Sequence, residues 1–156
     1  MKATKSFSSL SKQHDELQQL FVGHQRALFA KDVDAALSII TTFGSVLNRH
    51  IDYEEQRLLP LYADLGAETA GGTSEIFQAE HRKLRDSLTS LMRRTEGLQG
   101  LHSSNDLSDS IIALLDEEAA FKGLLHHHAS REQNLLFPRL DERSTEEERN
   151  TWLTND

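Results

Sequence analysis

His50-Ile51-Asp52-Tyr53-Glu54-Glu55-Gln56-Arg57-Leu58-Leu59-Pro60-Leu61 has a counterpart 78 residues further on, half the length of the 156-residue chain: His128-Ala129-Ser130-Arg131-Glu132-Gln133-Asn134-Leu135-Leu136-Phe137-Pro138-Arg139. Histidine, the glutamate four places after it, a leucine eight places on and a proline ten places on recur in register. In a helix a spacing of four sets two side chains over one another, one turn apart. Each stretch therefore reads as a helix that presents a His-Glu pair on one face. Proline lacks an N–H and clashes with the carbonyl four residues back, so Pro60 and Pro138 are expected to kink or end their helices.

Outward from these two stretches, residues at alternating spacings of three and four trace four helical seams. The first is Leu10, His14, Leu17, Phe21, His24, Leu28. The second is Ala36, Ile40, Phe43, Leu47, His50, Glu54, Leu58, Leu61, and the third is Phe77, His81, Leu84, Leu88, Leu91, Thr95, Leu98. The fourth runs Leu107, Ile111, Leu114, Glu118, Phe121, Leu125, His128, Glu132, Leu135. Asp32 or Asp34 is placed to cap the second helix, and Thr73 or Ser74 the third, because a short side-chain oxygen accepts from free N–H groups of a first turn. Ser144 with Glu147, or Thr145 with Glu148, has the spacing of a capping box, which predicts a short terminal helix carrying Trp152 and Leu153 across the bundle end. The expectation is an all-α, up-down-up-down four-helix bundle with a short C-terminal helix, one domain over residues 1–156 with its core at about 8–141.

Composition narrows the chemistry. The absence of cysteine excludes disulfides, thiolate zinc sites and cysteine-ligated iron–sulfur clusters. A net charge of −8 without a basic block argues against nucleic acid and anionic membranes as partners. Two prolines and eight glycines are too few turn residues for a many-stranded sandwich. No apolar run reaches the roughly 18 residues of a membrane span. Met1-Lys2-Ala3-Thr4-Lys5-Ser6-Phe7 has basic residues with no apolar stretch behind them, unlike a signal peptide, so a cytoplasmic location is expected.

Histidine is uncommon on an apolar seam, yet every one of the four seams carries one: His14, His50, His81 and His128. In an up-down-up-down bundle the second and fourth helices run parallel, so Glu54 and Glu132 fall one turn from the histidine layer in the same direction. Two carboxylates enclosed in one core would lose hydration and repel, at several kcal/mol per ion. Two cations remove that difficulty if each carboxylate bridges them and each ion takes two imidazoles. Nitrogen and oxygen donors with positions left open suit iron or manganese better than a closed structural zinc. The Glu-x-x-His spacing of ferritin-like carboxylate proteins does not occur.

These residues resemble the hemerythrin-like, or HHE cation-binding, domain family: His14, His50-x-x-x-Glu54 with Leu58-Leu59-Pro60, Glu80-His81, and His128-x-x-x-Glu132 with Leu136-Phe137-Pro138. The likeness spans nearly the whole chain. It implies a four-helix bundle around a non-haem, oxo- or hydroxo-bridged di-iron centre, with manganese or zinc as possible substitutes. By the resemblance the metal ligands would be His14 and His50 on one iron, His81 and His128 on the other, and Glu54 and Glu132 bridging. Oxygen-carrying members have a further histidine where this chain has Phe77, and a His-x-x-x-x-Asp pair where it has His128-x-x-x-Glu132. The ligand set is closer to the domain of iron–sulfur repair and nitric-oxide-response proteins. The implied function is binding or sensing of O2 or NO, or iron handling, at open metal positions. An enzyme that reduces NO or peroxide, or supports iron–sulfur repair, and a regulatory helical module with a protein partner are the alternatives.

His24 and Glu118 also fall on seams, each ten residues from a ligand position. At 1.5 Å rise per residue both lie roughly 15 Å from the metal layer, so they are expected at one level, paired or at the seam's edge. His126, His127 and His102 read as surface residues. Tyr53 and Tyr62 read as packing residues with hydroxyls that could reach towards the metal layer, and Glu80 as a residue that orients a ligand.

Overall fold

The computed structural model describes residues 4–153; the first three residues of the Met1–Phe7 stretch and the last three of the chain lie outside it. The described residues are helical, with no named strand among them. A single 3-10 turn, Phe7–Ser11, leads into α1, Lys12–Phe29. α2 is Val33–Tyr53, α3 Leu59–Asp64, α4 Ser74–Gly97 and α5 Ser104–Arg131. α6, Phe137–Arg143, and α7, Glu146–Trp152, follow. No described helix is long and apolar enough to cross a membrane.

Local chemistry explains the boundaries. Asp32 caps α2 by accepting from the Ala35 amide at 3.1 Å. α4 starts differently from expectation: Thr73 makes no side-chain cap, and the Glu68 carboxylate accepts from Ser74 N at 2.7 Å instead. Gly71 adopts φ +78°, a left-handed conformation that costs glycine little. Thr145 and Glu148 form the reciprocal capping box that starts α7. Arg149 of that helix donates to the carbonyls of Lys5 and Ser144, and Asp141 accepts from Ser6 Oγ and Phe7 N. The C-terminal segment thereby holds the entrance to α1.

The two prolines do their work six residues earlier than their own positions. α2 gives way at Glu54 to a π turn over Glu54–Leu58, and α5 gives way at Glu132 to a π turn over Glu132–Leu136. The amide of Leu59 donates to the Glu54 carbonyl and that of Phe137 to the Glu132 carbonyl, each five residues back. The wider turn leaves room for the proline ring, and the rod continues as helix through α3 and α6. One extra residue in the turn rotates everything after it by about 100°. The buried face therefore moves from the expected Leu61 to Leu59 and Tyr62, and from the expected Leu135 to Leu136, Phe137 and Leu140. Leu61 and Leu135 are only half-buried.

α1 packs along α2, α4 along α5, and α2 against α4, while α1 meets α5 over a shorter stretch. Buried side chains form two clusters. One gathers Leu17, Phe21, Ile40, Phe43, Leu47, Leu84, Leu88 and Phe121. The other gathers Phe7, Leu10, Leu58, Tyr62, Phe77, Leu136, Phe137 and Leu153. Between them, on every rod, the sequence places polar residues on the inner face: the half-buried His14 after Leu10, and the buried His50 and Glu54 before Leu58, His81 after Phe77, and His128 and Glu132 before Leu136.

Candidate metal centre

All six side chains singled out by the spacing converge in this layer. His81, Glu54, His128 and Glu132 are at most 1% exposed and His50 is 5%, while the His14 side chain retains 10%. The rings lie in two pairs, His14 with His50 at 5.3 Å between centroids and His81 with His128 at 4.8 Å. Each glutamate turns one oxygen to each pair. Glu54 Oε1 lies 3.2 Å from His50 Nε2, and its Oε2 2.9 Å from His81 Nε2. Glu132 Oε2 lies 2.5 Å from His14 Nε2, and its Oε1 2.5 Å from His128 Nε2. Donor atoms of His50, Glu54, His128 and Glu132 all fall within 4.8 Å of one another, close enough to hold a metal ion. Both glutamates sit on the first residue of a π turn, a distortion that recurs at functional sites.

The histidines are aimed from behind. His50 Nδ1 donates to Gln13 Oε1 at 2.7 Å, His81 Nδ1 to Glu55 Oε1 at 2.9 Å and His128 Nδ1 to Glu80 Oε2 at 2.9 Å. An acceptor on Nδ1 fixes the proton there and presents the Nε2 lone pair inward, as metal-ligating histidines require. Glu80 is itself held by Arg131 Nε at 2.7 Å. Gln13, Glu55 and Arg131 escaped the sequence reading. The signal was adjacency, since Gln13 precedes His14 and Glu55 follows Glu54, but each holds an imidazole of the next helix rather than its neighbour. Glu80 does hold one of these imidazoles, that of His128 rather than its neighbour His81.

The layer's electrostatics reflect crowding of both signs. Burial pushes the His128 imidazolium towards losing its proton, yet the carboxylate of Glu132, helped by Glu54 and Glu80, holds its pKa well above 6.5. Burial likewise opposes the Glu132 carboxylate, and His128 with His14 and His50 outweighs it, keeping that pKa well below 4.5. His50 is raised in the same way, mainly by Glu54 against burial. Even so, His14 Nδ1 and Nε2, His50 Nε2, His128 Nε2, Glu54 Oε1 and both oxygens of Glu132 are buried without a hydrogen-bond partner. The short N···O approaches at these atoms are not aligned as hydrogen bonds. An unsatisfied buried polar atom costs about 1–3 kcal/mol. A cation coordinated by these nitrogens and oxygens removes the cost, so the residues present fit a metal.

The other residues of the sequence reading fall elsewhere. His24 and Glu118 do meet, fully buried and away from this layer, at 2.5 Å. Tyr62 packs at 0% exposure with its hydroxyl donating to Gly72 O at 2.6 Å, and Tyr53 is half-buried. His102, His126 and His127 are exposed. A cleft of about 400 Å³ between α1 and α5, walled by Leu17, Phe21, Leu125 and Ala129, reaches His14. No protein-family model matches the chain, and no curated protein or solved structure matches it either.

Proposed function

We propose that this is a hemerythrin-like protein: an up-down-up-down four-helix bundle that holds a pair of iron ions and binds or senses O2 or NO there. The topology is supported by the way α1 and α4 run from the Phe7 cluster to the Phe21 cluster while α2 and α5 run back. The observation that carries the function is the division of oxygens, one from each of Glu54 and Glu132 to each histidine pair. His14 and His50 would hold one ion, His81 and His128 the other, with both glutamates shared.

When bound, such a pair supplies reversible coordination of a small diatomic ligand at positions the protein leaves open. The chain's own residues do the rest. The two apolar clusters keep bulk water from the layer, and Gln13, Glu55 and Glu80 hold the imidazoles in the ligating tautomer. The α1–α5 cleft offers a small molecule a path to the His14 edge. Optical titration of the iron-loaded protein with O2 and with NO tests the reading. A reversible change in the iron absorption supports it; an iron-loaded protein that is blind to both ligands refutes it.

A further inference from the structure

The supports behind the four histidines form a broken ring, and its pattern is visible only once the contacts are known. Gln13 of α1 backs His50 of α2. Glu55, in the π turn after α2, backs His81 of α4. Glu80 of α4 backs His128 of α5. The position that would complete the ring is Gln133, which stands where Glu55 stands in the other half of the duplicated stretch. Gln133 is exposed, and His14 Nδ1 has no partner. Gln13 and Glu80 are the same kind of counterpart, each preceding the first-helix histidine of its half. The two halves thus differ by which member of a Gln/Glu position carries charge. Both carboxylates have ended up behind the same pair of rings.

A carboxylate accepting from Nδ1–H raises the basicity of Nε2 and its strength as a metal ligand, whereas a neutral amide does so less. His81 and His128 are both backed by carboxylates. His50 is backed by an amide and His14 by nothing. Glu80 is further fixed from behind, because Arg131 donates Nε to its Oε1 and Nη1 to Gly71 O across the loop before α4.

We propose that Glu55 and Glu80, with Arg131 behind Glu80, are positioning residues that make the His81–His128 half the tighter of two metal positions, so that the ions enter in a fixed order. This rests on the dinuclear reading above. It adds a division of labour between the halves, with the first ion organising Glu54 and Glu132 for the second.

The test is a calorimetric and optical titration of the metal-free full chain with Co(II). Two steps of unequal affinity are expected, the tighter abolished by His81→Ala and the weaker by His14→Ala. Glu80→Gln and Glu55→Gln keep a hydrogen-bond acceptor but remove its charge. Each should weaken the tighter step by about 10–100-fold and leave the weaker step in place. Gln13→Glu should strengthen the weaker step, a gain that damage to the fold cannot mimic. Two equal steps, or unequal steps indifferent to Glu80→Gln, Glu55→Gln and Gln13→Glu, overturn the inference while leaving the metal pair standing. A wild-type chain that binds no Co(II) overturns the dinuclear reading and this inference with it.

Discussion

His24 and Glu118 close on each other. His24 Nδ1 donates to Ala36 O at 2.8 Å, its Nε2 meets Glu118 Oε1, and Gln25 Nε2 donates to Glu118 Oε2 at 3.1 Å. No polar atom of that pair is left over. One core cluster away, the six-residue layer has the same chemistry, imidazole and carboxylate buried together, and leaves nitrogens and oxygens facing one another without hydrogen bonds. The difference teaches how to tell a structural polar pair from a ligand site. Burial and residue type are shared, whereas satisfaction separates them. The closed pair needs nothing from outside, and the open layer has the donors that could hold a cation.

The comparison can be broken most forcefully at the open layer. Glu132→Gln removes a carboxylate that faces both histidine pairs, and metal content should fall from a pair of ions per chain to background, with loss of the thermal stabilisation that metal confers. The closed pair should respond in the opposite sense. Glu118→Ala leaves His24 Nε2 buried without its carboxylate partner and should cost about 3–5 kcal/mol in denaturant unfolding, with metal content per folded chain unchanged. Replacing both His24 and Glu118 by leucine should recover most of that loss, because apolar residues of similar volume often replace a buried pair without penalty. An apolar replacement of the open layer should, by contrast, abolish metal binding, as read by metal analysis.

Acid and base sharpen the contrast further. In chelator-treated protein, His128 has a folded pKa raised above 6.5, so its contribution is fully present below 6.5 and is lost as pH rises through the raised value. Glu132 has a folded pKa depressed below 4.5, so its contribution is present above 4.5 and lost as pH falls through the depressed value. Stability of the metal-free protein should therefore peak between about 4.5 and 6.5, as read by thermal unfolding across a pH series. Metal-loaded protein should instead lose stability as pH falls through that window, since protons compete for the same nitrogens. The smallest effect serves as a control: Asp32→Ala removes the α2 cap and should cost about 0.5–2 kcal/mol without altering either layer.

Much of this was legible in the chain itself, for physical reasons. The third seam is buried at every position from Phe77 to Leu98, because nothing interrupts the 3.6-residue period of α4. The second seam failed at Leu61 and the fourth at Leu135, because a π turn adds a residue that periodicity cannot register; Leu107 and Leu125 of the fourth, ahead of that turn, are also only half-buried. Pro60 and Pro138 announced an interruption, but its place at the glutamates depends on the whole turn. The six layer residues were legible because polar groups on an apolar seam demand a reason. Gln13, Glu55 and Arg131 were not, because residues off the seam look like ordinary surface until the neighbouring helix is in place. The His24–Glu118 pair was legible as a level, and only the side-chain contacts decided that it was closed.

Metal analysis of the purified full chain, beside its Glu54→Gln and Glu132→Gln variants, bears most directly on the central claim. The account requires two ions per wild-type chain and loss of both when either shared carboxylate is neutralised. A folded wild-type chain that carries no metal even after reconstitution with Fe(II), or that keeps its full complement in both variants, would contradict it.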